Sequence, residues 1–196
     1  MSAHPQPRLT PEQYLAIERA AEFRSEYYDG RMYAMAGGSR RHGIIIVNLA
    51  SELRNALKKS PCEVTASDSR VCMSPDGLYT YPDIVVVCGP PQLLDGHKDT
   101  LLNPKVIVEV LSPSTEAYNR GFKSQQYRTL VSLQEYALVS QTESRVEVFR
   151  RQPGGSWLLS EFIGLNAVCH FDSLDCGIPL AEVYDKVSFG DEESAT

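Results

Sequence analysis

No two cysteines in this chain are spaced C-x-x-C. The five cysteines, Cys62, Cys72, Cys88, Cys169 and Cys176, therefore offer neither a zinc knuckle nor a thioredoxin-type redox motif. Cys72 and Cys88 lie in or beside strand-like runs and read as small core hydrophobes. Nothing in the sequence points to an oxidising compartment. There is also no apolar run long enough to span a bilayer. The stretch Met1 to Thr10 is polar and Pro-bearing, without the apolar centre of a secretory signal. A soluble, cytoplasmic protein with no membrane partner is the expectation. Positive charge is scarce: 19 Lys and Arg stand against 25 Asp and Glu, a net charge of -6. That disfavours tight nonspecific binding of nucleic acid, which phosphate neutralisation drives. It leaves room for a local basic patch, at Ser39-Arg40-Arg41-His42 or Lys58-Lys59. The end, Gly190 to Thr196, reads as an acidic solvated tail. Repeats and linkers are missing too. What remains is a chain of 196 residues, 42% hydrophobic, sized for one domain over 1–196 with a core from about 9 to 184.

The most informative stretch is Asn103 to Thr115. Its run Val106-Ile107-Val108-Glu109-Val110-Leu111, closed by Ser112-Pro113-Ser114, reads as a strand buried on both faces. Glu109 sits inside it. A buried carboxylate needs a proton, a cationic partner, a backbone nest or a metal ion. A second run, Tyr81-Pro82-Asp83-Ile84-Val85-Val86-Val87-Cys88, starts on another acid, Asp83. Two acids on two apolar strands imply one polar site inside a sheet-based core.

The remaining elements can be taken in order. Thr10 is an N-cap, Pro11 opens the helix and Gln13 completes a capping box; that helix should reach about Arg24 with Tyr14, Leu15 and Ile17 inward. Ser25 to Met35 reads as a hairpin turning at Asp29-Gly30. Glu26 and Tyr28 share one face of its first strand. A long helix from Arg40 to Lys59 follows, with His42, Ile45, Ile46, Leu49, Leu53, Ala56 and Leu57 on one face. His42 at its start reads as a satisfied, half-buried histidine rather than a metal ligand. Short strands are expected at Cys62 to Ala66 and Arg70 to Met73, with a turn at Pro75-Asp76-Gly77. Gly89 to Asn103 is a loop with room for one helical turn and a surface His97. A helix from Thr115 to Leu130 carries Arg120, Lys123 and Tyr127, the last two on one face. Strands at Gln134–Ser140, Arg145–Arg150 and Trp157–Phe162 come next. Cys169 to Val187 closes the chain, with a helical turn near Leu180–Tyr184.

This order of elements resembles the PD-(D/E)xK nuclease superfamily, with Pro82-Asp83 as the first half-motif and Glu109-Val110-Leu111 as the second. It is more closely similar to the Uma-two family, a former domain of unknown function assigned to restriction endonucleases. The matching features are Tyr27-Tyr28-Asp29-Gly30, the His42-led helix, Tyr81 to Val87, Val108 to Ser114, Lys123 with Tyr127, and Glu135-Tyr136. They cover about Leu9 to Tyr184. The resemblance implies an α/β fold: a restriction-endonuclease-like core with a mixed central β-sheet flanked by helices.

It also implies hydrolysis of DNA phosphodiester bonds with Mg²⁺ or Mn²⁺. Such chemistry needs a hard cation on oxygen ligands, an activated water and a positive group near the developing charge. Asp83 and Glu109 would hold the ion with the carbonyl of Val110, and Glu26 is the third acid. Leu111 replaces the usual lysine of the third motif position and cannot orient water. The resemblance moves that lysine to Lys123 on the following helix, with Tyr127 bracing it. Lys105 competes, on the same strand face as Glu109, but reads more simply as a solvated side chain. A homodimer is expected by base rate, since two sites could then meet one duplex. Two other classes fit the same residues. One is a non-catalytic nucleic-acid or protein-binding module on this fold. The other is a structural protein in which Lys123 and an Arg neutralise the acids without metal.

Overall fold

A computed structural model describes residues 8–35, 37–74 and 77–190. The polar start, the Pro75-Asp76 part of the expected turn and the acidic tail from Asp191 lie outside the described residues. Helix α1 is Pro11–Ala20, opened by the Thr10–Gln13 capping box. It stops a turn short of Arg24. Tyr14 and Leu15 point inward, but Ile17 is 46% exposed and Glu18 is buried instead. Glu18 takes the inward place because its carboxylate accepts from the Ser25 N–H and the Tyr81 hydroxyl.

Strands β1 (Ser25–Tyr28) and β2 (Arg31–Ala34) form the expected hairpin. Asp29 and Gly30 both take positive φ, which the two-residue turn requires. Helix α2 is Arg40–Ala56, capped by the Ser39 hydroxyl on the His42 N–H. Ile45, Ile46, Leu49 and Leu53 line its buried face, while Ala56 at its end is exposed. Then come β3 (Cys62–Ala66), β4 (Arg70–Cys72), β5 (Tyr79–Thr80) and β6 (Ile84–Cys88). The loop after β6 has no helical turn; it holds a short strand, β7 (Thr100–Leu101), which pairs parallel with β4. Strand β8 is Val106–Leu111, buried at all six positions.

The helix expected over Thr115 to Leu130 is broken. It consists of α3 (Glu116–Tyr118), a π-helical turn at Asn119–Lys123, and α4 (Ser124–Tyr127). The Tyr136 hydroxyl donates to the Asn119 carbonyl at 3.1 Å, occupying an acceptor in the widened turn. The chain ends with β9 (Glu135–Ser140), β10 (Arg145–Arg151), β11 (Trp157–Ile163), β12 (Val168–Phe171), β13 (Cys176–Pro179) and α5 (Leu180–Val183).

Six strands form a mixed sheet in the order β11-β10-β9-β8-β6-β3, and five form a second in the order β2-β1-β5-β4-β7. In the first, β8 and β9 run parallel, and the broken helical segment is their crossover. One face of this sheet packs Val86, Val108 and Val110 under α2, β12, β13 and α5. The other packs Ile107, Leu111, Tyr127 and Tyr136. Glu109 alternates with Val108 and Val110, so it falls on this second face.

The cysteines depart from expectation at one pair. Cys72 is a buried thiol, but Cys88 is bonded to Cys62 as a disulfide. The two are direct partners in the β3–β6 ladder. A separation of 26 residues gave no sign of it. A bridge of this kind belongs to oxidising surroundings; in a reducing cytoplasm the same positions would hold two thiols.

Candidate active site

The site is made where the two sheets meet. Ile84 of β6 faces Val108 of β8. Asp83 immediately precedes β6 and Glu109 immediately follows Val108, so the two acids flank the last pair of this ladder. The Val110 N–H donates to Asp83 Oδ2 at 2.7 Å, which pins the first acid to the strand of the second. Glu26 arrives from β1 in the other sheet, and Lys123 from the π-turn. All four line one cavity of about 1290 Å³, together with His42 and Val110.

Lys123 is at the centre. Its Nζ is 2.8 Å from Glu26 Oε1 and 3.0 Å from Glu109 Oε1. Glu26, Glu109 and Lys123 are each at least nine-tenths buried. Burial alone would lower the lysine's affinity for its proton, but the two carboxylates outweigh it and push its pKa up. Glu109 carries the cost of the crowding. Burial, with the Asp83 charge, outweighs the pull of Lys123 and the Tyr127 hydroxyl and leaves its pKa raised to about 7. The ammonium thus keeps its charge.

Several hydroxyls complete the arrangement. Tyr127 donates to Glu109 Oε1 at 2.6 Å. Tyr118 donates to Glu26 Oε2 at 3.0 Å, and its ring lies 5.6 Å from Lys123 Nζ. Thr80 donates to Glu26 Oε1. Both oxygens of Glu26 are therefore engaged. Tyr118 and Lys123 are five residues apart, a spacing that meets on one side of a π-turn and not of an α-helix. That relation hid Tyr118 from helical periodicity. Thr80 had no signal beyond its place just before Tyr81-Pro82-Asp83, whereas Tyr136 stood within a motif already noted.

His42 also lines the cavity. Its Nε2 is 3.3 Å from Asp83 Oδ2, and the side chain is 17% exposed. Burial disfavours its charge, but Asp83, Glu109 and the Val110 carbonyl prevail and raise its pKa. It is half-buried and partnered, as its place on α2 suggested, and its partner is one of the two strand acids. Lys105 is elsewhere. It lies at the opposite end of β8, beside a smaller cavity of about 450 Å³ with Cys88, Asn103 and Gln134.

A mixed sheet with helices on both faces, and an acid just before one strand beside an acid within its neighbour, define a restriction-endonuclease-like core. The chain belongs to the Uma2 family, whose model, described as "Putative restriction endonuclease", matches residues 11–179. It is 39% identical over 160 residues to an uncharacterized protein of Synechocystis, covering 81% of this chain and 82% of that one. A second uncharacterized Synechocystis protein is 34% identical over 163 residues, covering 83% and 92%. The fold is similar to the crystal structure of "a putative nuclease belonging to DUF820" from Anabaena variabilis. The TM-score is 0.73 at 18% identity, over 92% of this chain and 99% of that one.

Proposed function

We propose that this protein is a Mg²⁺-dependent endonuclease that hydrolyses DNA phosphodiester bonds, with Mn²⁺ able to replace Mg²⁺. The observation that carries the reading is the meeting of Asp83, Glu109 and Lys123 in one cavity from three separate elements. The donors available to an ion are oxygens: Asp83, Glu109 and the Val110 carbonyl. Among the described residues, no three His, Cys, Asp or Glu side chains are grouped closely enough to hold a metal. The two carboxylates and one carbonyl suit Mg²⁺ in needing few protein ligands, since it keeps several of its waters and takes one or two carboxylates. Bound there, the ion would supply Lewis-acid polarisation of the phosphate and a more acidic water.

The chain's own groups do the rest. Lys123 presents a permanent charge to the negative charge that builds on the phosphate. Glu26 was a third metal ligand in the sequence reading. Its oxygens also meet Lys123, Thr80 and Tyr118, so it holds the lysine in place as well. Tyr127 fixes one oxygen of Glu109 and leaves the other toward the cavity. The same reading makes DNA the partner, the cytoplasm the place of action and a homodimer the working unit.

The test is cleavage of plasmid and single-stranded DNA with Mg²⁺ or Mn²⁺ by the wild type and by Asp83→Ala. Cleavage by the first and not the second is the expected result. One observation favours a second reading. Lys123 already lies against Glu26 and Glu109, and His42 against Asp83, so each acid has a basic neighbour without metal. A non-catalytic binding module would retain DNA and cut nothing, identically in wild type and Asp83→Ala, and that outcome would replace the nuclease reading.

A further inference from the structure

We propose that the outer edge of β11 is a dimer interface, on which a second copy of this chain pairs antiparallel and joins two six-stranded sheets into one. This names the surface on which the homodimer above forms, and it stands whether or not the site cleaves DNA.

The argument starts from hydrogen-bond parity. Among the described residues, strand β11 is the last of its sheet, with β10 as its one neighbour. At the two ends of that ladder, the Gly164 N–H donates to the Ser144 carbonyl and the Gln152 N–H to the Ser156 carbonyl. The register between them pairs Val146 with Phe162, Val148 with Ser160 and Arg150 with Leu158. Since bonded pairs alternate with unbonded ones along an antiparallel ladder, the even-numbered residues of β11 turn their backbone groups to β10. Trp157, Leu159, Glu161 and Ile163 turn theirs to the free edge.

The side chains there are apolar on both faces of the strand. Leu158 is 50% exposed, Leu159 44% and Ile163 64%, and just beyond lie Leu165 at 50% and Val168 at 39%. The other edge of the same sheet is guarded. On β3, Glu63 and Thr65 are exposed, and Lys58 and Lys59 stand exposed just before the strand. Charges of this kind are how a natural sheet prevents edge pairing. Strand β11 carries one charge, Glu161, and Arg145 of β10 is already paired with it.

The occupant follows from the charge and bonding pattern. A two-fold axis at Ser160 sets Leu159 opposite the second copy's Glu161, and Trp157 opposite its Ile163. Every outward backbone group then meets an outward group, and no glutamate faces a glutamate. Shifting by one residue sets outward groups against inward ones. Moving the axis to Glu161 puts two carboxylates face to face. An axis at Leu159 avoids that clash but pairs only Trp157 to Glu161, so the pairing about Ser160 is the one that engages every outward group without setting like charges opposite each other. Leu165 and Val168 widen the apolar contact toward the area a stable dimer buries.

The experiment is light scattering coupled to size exclusion on the full chain, read beside hydrogen exchange. Wild type should have twice the chain mass of 21.8 kDa, with slow exchange at the Leu159 and Glu161 amides. Leu159→Pro removes an outward N–H and no bond to β10, and should give the single-chain mass with unchanged circular dichroism. Leu159→Lys keeps the backbone and should act likewise, so it decides the matter if the proline variant does not fold. A single-chain mass for wild type at its highest soluble concentration overturns the proposal. So does a dimer that persists in Leu159→Lys with the two amides still protected.

Discussion

Replacing Glu109 by Gln tests the electrostatics of the site most directly. The folded carboxyl titrates near 7 against an ordinary 4.5, because burial disfavours its charge more than Lys123 and Tyr127 favour it. The folded state therefore holds this proton more tightly than the unfolded chain does. The resulting stabilisation is complete below about pH 4.5 and lost as pH rises through about 7. A rise from 4.5 to about 7 is worth roughly 3 kcal/mol. Gln cannot lose that proton. It keeps an acceptor oxygen for Lys123 and Tyr127, and Lys123 still has Glu26. The stability of Glu109→Gln relative to wild type should rise by roughly 3 kcal/mol between about pH 4.5 and pH 8. Urea melts across that range, in chelator so that no divalent ion favours the ionised carboxylate, give the difference. A flat difference would refute the reasoning. So would a variant weaker than wild type by a few kcal/mol at high pH, because Glu109 would then be an ionised partner that Lys123 cannot do without.

Millimolar Mg²⁺ or Mn²⁺ should raise the melting temperature of wild type by mass action, and Asp83→Asn should abolish most of the shift; no shift in wild type would count heavily against a metal site. Lys123→Ala should lose at least about 10²-fold in cleavage rate while keeping the metal-induced shift, since an ammonium is not a ligand. Lys105→Ala should change little, because Lys105 lies at the far end of β8. The reverse result in the cleavage assay would exchange the roles of the two lysines. Tyr127→Phe should cost less than Lys123→Ala, as it removes one of two donors to Glu109 Oε1.

How much of this was legible depends on the range over which each feature is determined. The Asp29-Gly30 hairpin is a local matter of two residues tolerating positive φ, and it was readable. The burial of Glu109 was readable because five apolar neighbours on one strand leave it no exposed face. Ile17 was misjudged because periodicity counts apolar residues only, and Glu18 gains more inside, from Ser25 and Tyr81, than it loses. The Cys62–Cys88 bridge depends on strand register, which spacing does not reveal.

The π-turn marks where pattern reading stops. Lys123 and Tyr127 are four apart in either kind of helix, so the sequence showed them as neighbours. One extra residue in the turn before them decides something else, namely that Tyr118 also comes round to the lysine and ties Glu26 to it. A regular α-helix over the same residues would set positions five apart on different sides. The Asn119 carbonyl of that turn is held by Tyr136, a residue on β9 and fully buried. The aim of the lysine is thus set by a strand that follows it in the chain. No window of sequence around Lys123 contains that information, although Glu135-Tyr136 was conspicuous for other reasons.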